Sequence, residues 1–137
     1  MGFYTQVRGW LNVDSISTSS HVELQRHLFE VRRAFKETNV PRSWVSEDTC
    51  ITLGANGSKF IFIGTEMKNY DDVAEEWIKF LLPYFPNAEG RIDFQTEREE
   101  PGETTSKYWL IYKGEIVEEG RCVTWCKGYG NTAGDNE

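Results

Sequence analysis

The sequence lacks several features that mark particular classes of protein. Its three cysteines, Cys50, Cys122 and Cys126, are an odd and sparse set that does not resemble a disulfide framework, so a reducing compartment is predicted. No window approaches the roughly 20 apolar residues that span a bilayer. The opening MGFYTQVRGWL has no charged segment followed by an apolar run, as a secretory signal would have. These absences predict a cytoplasmic protein.

Motifs of known catalytic chemistry are absent as well. Neither G-x-S-x-G nor H-E-x-x-H occurs, and His21 and His27 lie six residues apart, which places them about 120° from each other on a helix. Cys122 and Cys126 share one face of a predicted strand, but about 13 Å of strand separates them, too far for one zinc ion. We therefore predict a protein that is not an enzyme, with no cofactor and no metal; an enzyme of unrecognised type is the alternative.

The chain does contain enough apolar residues to fold on its own. Hydrophobic residues make up 39% of the 137 residues and aromatic residues 14%, far from the composition of a disordered chain. A length of this order is typical of one domain. We predict a single α+β domain over residues 1–126, followed by a tail at 127–137 that has no periodicity and should be mobile.

Acidic residues are concentrated in the second half of the chain. Residues 1–60 carry seven Lys and Arg against six Asp and Glu, whereas residues 61–137 carry eight against sixteen, within a net charge of −7. Such a field repels phosphate backbones and attracts basic surfaces. The charge therefore favours a protein partner with a basic surface and no direct contact with nucleic acid; a role in solubility alone is the alternative.

Two segments have the periodicity of amphipathic helices. In SSHVELQRHLFEVRRAFKE, Ser20 and Glu23 have the spacing of a capping box, and in YDDVAEEWIKFLLPYF, Asp72 and Glu75 stand at the N-cap and N3 positions. One face of each helix is expected to be buried. These faces consist of Leu24, Leu28, Val31 and Phe35 in the first helix, and of Val73, Trp77, Phe80 or Leu81, and Tyr84 in the second.

The remaining ordered segments alternate as strands do. They are residues 3–13, TCITL, KFIFIGT, GRIDFQTE and two runs around Lys113 and Gly114. The order strand, helix, strand, strand, helix, strand predicts a ferredoxin-like sandwich (βαββαβ) with an added C-terminal β-hairpin. Its antiparallel sheet should carry both helices on one face and leave the other face open.

The open face is one candidate site, with Tyr4, Arg8 and Trp10 on it. It could hold a small molecule or a nucleotide in an apolar cavity with a few polar groups. The segment KFIFIGT also resembles the third-strand motif of RNA-recognition domains, but it lacks the glycine between Lys59 and Phe60. Because Phe60 and Phe62 could equally face inward, we expect a core strand there instead.

The C-terminal hairpin is the other candidate site, because it combines aromatic anchors with carboxylates that no helix end requires. Like charges placed together cost stability, which a binding role could justify; a solvated edge that resists aggregation is the alternative. The predicted partner-binding residues are Glu97, Glu99, Glu100, Glu103, Tyr108, Trp109, Tyr112, Glu115, Glu118 and Glu119.

The stretches MGFYTQVRGWL and FQTEREEPGETTSKYWLIYKGE resemble small ferredoxin-like accessory proteins carried by phages and plasmids. The resemblance covers about a quarter of the chain, and it implies a protein that acts by binding in the host cytoplasm, for instance as an inhibitor of a host defence or nucleic-acid enzyme. The leading interpretation is thus a non-enzymatic acidic protein that occupies a basic surface of another protein. The alternative is a protein that sequesters a small molecule or nucleotide on the open sheet face.

Overall fold

The computed structural model describes residues 4–13, 20–38, 43–54, 57–68, 72–97 and 103–125, with the backbone alone at 103 and 122–125. The predicted tail at 127–137 lies outside the described residues. The elements are β1 (Tyr4–Asn12), α1 (His21–Glu37), a 3-10 helix (Ser43–Asp48), β2 (Thr49–Leu53), β3 (Lys59–Lys68), α2 (Val73–Leu81) with a 3-10 turn after it (Leu82–Tyr84), β4 (Glu89–Glu97), β5 (Glu103–Tyr112) and β6 (Glu115–Trp125).

The strands form one six-stranded sheet in the order β2-β3-β1-β4-β5-β6. Every neighbouring pair is antiparallel, and β1 lies between β3 and β4. The chain thus combines helices with an antiparallel sheet, so the α+β class predicted from the sequence is confirmed. Among the described residues, no helix combines the length and the apolar character needed to cross a membrane.

Helix α1 begins at the predicted capping box. The Ser20 hydroxyl accepts a hydrogen bond from the Glu23 backbone N–H at 3.1 Å, and the Glu23 carboxylate accepts one from the Ser20 N–H at 2.9 Å. Two backbone donors that lack helical partners are thereby satisfied. The predicted stripe is confirmed, because the buried side chains of α1 are Leu24, Leu28, Val31 and Phe35.

Helix α2 begins differently from the prediction. Asp72 has a left-handed backbone with φ 54° and makes no capping bond through its side chain, so the predicted capping role is wrong. An N-cap carboxylate reaches the first turn from an extended backbone, which Asp72 does not have. Glu75 turns inward instead and is buried. Tyr84 is exposed because the chain leaves the helix axis in the 3-10 turn after Leu81.

The core lies between the helices and one face of the sheet. Residues of that face, such as Val7, Ile61 and Ile92, form a single buried cluster with the apolar stripes of both helices. Trp77 is fully buried in it, and its indole N–H donates to the Thr49 hydroxyl at 2.9 Å. Since both helices pack on this face, the opposite face of the sheet has no helix over it among the described residues.

Strands β5 and β6 are joined by a tight turn at Lys113 and Gly114. Both residues have positive φ, 52° and 74°, which is the conformation of a two-residue hairpin turn whose twist matches the strands. The pairing register shifts between Leu110 and Ile111, so that Val117 is an extra residue on β6. A bulge of this kind increases the local twist of an edge strand.

Candidate binding site on the open sheet face

Large aromatic side chains lie on the sheet face that the helices do not cover. Trp10 on β1 is 52% exposed and Phe62 on β3 is 48% exposed, and Phe60 is partly exposed beside them. The expectation that Phe60 and Phe62 are core residues is therefore wrong. Ile61 and Ile63 occupy the core positions of β3, and the alternation of the strand directs both phenylalanines outward.

These rings form a cleft with an apolar lining. Trp10, Thr52, Phe60 and Phe62 enclose about 240 Å³. The Trp10 and Phe60 rings meet edge to face, with centroids 5.5 Å apart and planes at 89°. Because this geometry is favourable for aromatic pairs, Phe60 holds the indole in a defined orientation. Trp10 and Phe62 both expose ring surface to solvent.

Two glycines, which have no side chain, leave space for the phenylalanine rings. A Cβ atom at Gly64 would lie 3.1 Å from the Phe62 ring, so this ring lies over Gly64 on its own strand. A Cβ atom at Gly54 would lie 3.0 Å from the Phe60 ring. Larger residues at either position would push the rings away from their present places, and the shape of the cleft thus depends on both glycines.

Two arginines lie next to Trp10 on the same face. Arg91 of β4 is the direct partner of Trp10 across the strand pair, and Arg8 precedes Trp10 by two residues on β1. Arg91 donates to both carboxylate oxygens of Asp93, with N–O distances of 3.0 to 3.1 Å. The hydrogen bonds to Asp93 raise the pKa of Arg91. The Arg8 guanidinium donates to the side-chain oxygen of Gln6.

Tyr108 of β5 continues this polar network toward β6. Its ring lies 4.2 Å from the Arg91 guanidinium carbon, and its hydroxyl donates to the Glu118 carboxylate at 2.7 Å. That hydrogen bond raises the pKa of Tyr108. The ring also covers Gly120, where a Cβ atom would come within 2.1 Å of it. Tyr108 is thus held within the network and is partly exposed.

The predicted acidic site is less compact than the sequence suggests. Glu99 and Glu100 lie outside the described residues, and so does the side chain of Glu103. Glu97 and Glu115 are both exposed, but Glu97 pairs with Thr104 and Glu115 with Tyr112. Those two partners are eight positions apart on β5, about 27 Å of strand. The expectation that the hairpin gathers these two carboxylates is wrong.

The carboxylates of β6 also divide between the two faces. Glu118 lies opposite Leu110 on the open face, whereas Glu119 lies opposite Trp109 on the helix side. Glu119 accepts a hydrogen bond from Arg121 at 3.0 Å and lies 3.9 Å from the Lys107 ammonium group. Consecutive strand residues point in opposite directions, so these two glutamates cannot act on one partner surface together.

Of the predicted aromatic anchors, Trp109 is buried. It is 4% exposed and packs edge to face on Phe94 with centroids 4.9 Å apart, so its assignment as a partner anchor is wrong. Tyr112 is 51% exposed and Tyr108 is partly exposed. Among the residues predicted on the open face, Tyr4, Arg8 and Trp10 are all exposed there.

A buried ion pair on the helix side escaped the sequence analysis. The Lys107 ammonium group lies 2.9 Å from the Glu75 carboxylate, and their side chains are 17% and 10% exposed. Lys107 also lies over the rings of Phe94 and Trp109, at 4.8 and 5.1 Å. The pair joins α2 to β5. No local sequence signal connects residues 32 positions apart, so periodicity could not reveal it.

In the described part of the chain, no three His, Cys, Asp or Glu side chains are grouped to hold a metal ion. Cys50 is exposed on β2, opposite Phe62. The chain matches no protein-family model, no curated protein and no solved structure.

Proposed function

We propose that the protein is a non-enzymatic binding protein of the cytoplasm that holds a planar ring in the cleft of Trp10, Phe60 and Phe62. The observation that carries this proposal is the exposure of Trp10 and Phe62 on the neighbouring strands β1 and β3. Exposed aromatic rings that are fixed on a rigid sheet offer stacking surface at a small entropic cost. A planar ligand gains the most from such a surface.

The size and charge of the site limit the ligand. About 240 Å³ lies just below the range of roughly 300 to 1,000 Å³ typical of drug-sized ligands, so the cleft suits one ring system. The net charge of −7 disfavours a long polyanion, because each phosphate would enter a repulsive field. A single nucleobase or a metabolite with one ring system fits both limits. The role would be capture or sequestration of that molecule.

The proposed architecture is a ferredoxin-like sandwich with the β5–β6 hairpin added beside β4. Support comes from the strand order β2-β3-β1-β4 and from the position of the helices after β1 and β3. In this arrangement both helices cover one face of the sheet and leave the other face of its strands open. That side is where folds of this type place a binding surface on the sheet.

Binding of the four common ribonucleosides tests the proposal, measured by calorimetry on the wild type and on Trp10→Ala. Base stacking on an aromatic side chain contributes about 1 to 3 kcal/mol, so Trp10→Ala should weaken binding about 5- to 150-fold. Tyr112→Ala is the matched control, because Tyr112 is equally exposed but lies on β5 away from the cleft. Equal loss in both variants, or no binding of any nucleoside, would refute the proposal.

We propose as a second candidate that the β6 edge binds a basic surface of another protein, as an inhibitor of a host defence or nucleic-acid enzyme would. The favouring observation is that Tyr112 and Val117 are exposed on the same hairpin as Glu115 and Glu118. An apolar anchor with an acidic rim has the composition of an interface hot spot. A phage-type accessory protein could act in this way.

Association kinetics test this second candidate with a partner recovered from host lysate. Changing Glu115 and Glu118, the exposed carboxylates on which this candidate rests, together to Gln should slow association and flatten its salt dependence, because exposed charges act mainly on encounter. Tyr112→Ala should instead speed dissociation. An unchanged rate and an unchanged salt response in this double variant would leave the carboxylates as a solvated edge.

A further inference from the structure

Two arginines lie beside Trp10 at the border of the cleft. Trp10 has Arg91 directly across the β1–β4 pair, and Arg8 two residues away on its own strand. Side chains across a strand pair lie about 5 Å apart at Cβ, and residues two apart along a strand lie about 7 Å apart. Both guanidinium groups can therefore reach a group attached to a ring that stacks on Trp10.

Arg91 is held in place before any ligand arrives. Its Nε and Nη2 atoms donate to Asp93, and the Tyr108 ring lies against its guanidinium group at 4.2 Å. None of these hydrogen bonds uses Nη1. A guanidinium group whose orientation is already fixed loses little entropy when it binds an anion, and its planar donors match the oxygens of a phosphate.

Arg8 lies beside the Phe62 ring on the β3 side. Its partner there is Gly64, which has no side chain, and the ring of Phe62 leans over that glycine. On the β4 side its partner is Asp93, the carboxylate that Arg91 already binds. With Glu118, which lies in the same network through Tyr108, the charges of Arg8, Arg91 and Asp93 sum to zero, so the site suits an anion of low charge better than a polyphosphate.

We propose that the ligand of the cleft is a nucleoside monophosphate, whose base stacks on Trp10 and Phe62 and whose phosphate is bound by Arg8 and Arg91. This inference rests on the proposed function of the cleft and adds the chemical class of the ligand. The net charge of −7 and the small cleft both disfavour a nucleic-acid strand. A free nucleotide requires one ring site and one anion site, which is what these side chains supply.

Calorimetry at low salt tests the inference with the four ribonucleosides and the corresponding monophosphates. In the wild type, a monophosphate should bind about tenfold more tightly than its own nucleoside, after allowance for the solvent screening of exposed charges. In Arg8→Gln and in Arg91→Gln this ratio should fall toward one, while nucleoside affinity stays unchanged. Arg33→Gln on α1 is the matched control, because Arg33 is exposed and lies outside the sheet.

The outcomes separate this inference from the proposed function. Suppose that nucleosides bind and that Trp10→Ala abolishes this binding, but that a monophosphate binds less than twofold more tightly than its nucleoside. The inference of a nucleotide ligand then fails, whereas the proposed ring site stands. If the arginine variants keep the full preference for the monophosphate, the inference also fails. If neither compound binds, the proposed function itself fails. Melting temperatures of both arginine variants should match the wild type, since each side chain is exposed.

Discussion

Replacing Lys107 by Met should lower the free energy of unfolding by about 2 to 4 kcal/mol. The Lys107 and Glu75 side chains are 17% and 10% exposed, and their charged atoms lie 2.9 Å apart. Removing one partner of a buried pair costs roughly 3 to 5 kcal/mol, because the other charge stays buried; the remaining exposure of this pair reduces that figure. The substitution keeps an apolar stem over the rings of Phe94 and Trp109.

Urea unfolding at neutral pH measures this loss in a double-mutant cycle with Glu75→Gln. The double variant should recover part of the stability that Lys107→Met loses, with a coupling of about 1 to 3 kcal/mol. Both charges are then removed, so neither one stays buried alone. Arg33→Gln is the control: its pair with Glu30 has side chains 60% and 51% exposed and should contribute less than about 1 kcal/mol. The reasoning fails if Lys107→Met costs no more than this exposed control.

Three further predictions concern the rest of the domain. Leu28→Ala should cost about 2 to 5 kcal/mol in urea unfolding, whereas Phe29→Ala, on the exposed side of the same helix, should cost far less; similar losses would mean that the face assignment is wrong. The hydrogen bond from Lys36 lowers the pKa of Glu47 from 4.5. The contribution of this ion pair to the free energy of unfolding is therefore present above that pH and is lost as pH falls through the lower folded pKa. The effect of Lys36→Met on stability should accordingly vanish in acid; persistence there would contradict this linkage. Chelator should leave the melting temperature unchanged, because no ligand set is grouped in the described residues, and a clear drop would reveal a metal site.

Local sequence signals predicted the elements of the fold well. The capping box and the four-three-four spacing of α1 involve residues within one helix, so they could be read without knowing any partner. The same is true of the turn at Lys113 and Gly114, whose positive φ angles follow from a two-residue connection. Alternation likewise identified the strands and their two faces.

The site depended on long-range pairing, which the sequence does not display. Alternation showed that Phe60 and Phe62 share a face, but either face could have been the core. The choice was made by the register of β1 and β3, which places Trp10 opposite Phe62 and Leu11 opposite Ile61. The burial of Trp109 was missed for the same reason, because its partner Phe94 lies on another strand.

The backbone at Asp72 shows a different limit of local reasoning. Aspartate before a helix is a strong N-cap signal, but the chain reaches α2 through a left-handed residue. Glu75 is then free to turn inward and meet Lys107 from β5. The partner of Glu75 lies on a distant strand, so the local motif does not show it.

The most direct measurement of the central claim is an NMR titration of the isotope-labelled protein with a nucleoside monophosphate. The account predicts that the indole N–H signal of Trp10 and the backbone signal of Gly64 shift with ligand concentration, while the indole signal of the buried Trp77 and the backbone signal of Tyr112 stay in place. Trp10→Ala should remove the shift at Gly64. Unmoved Trp10 and Gly64 signals at millimolar ligand, or shifts confined to β6, would contradict the account.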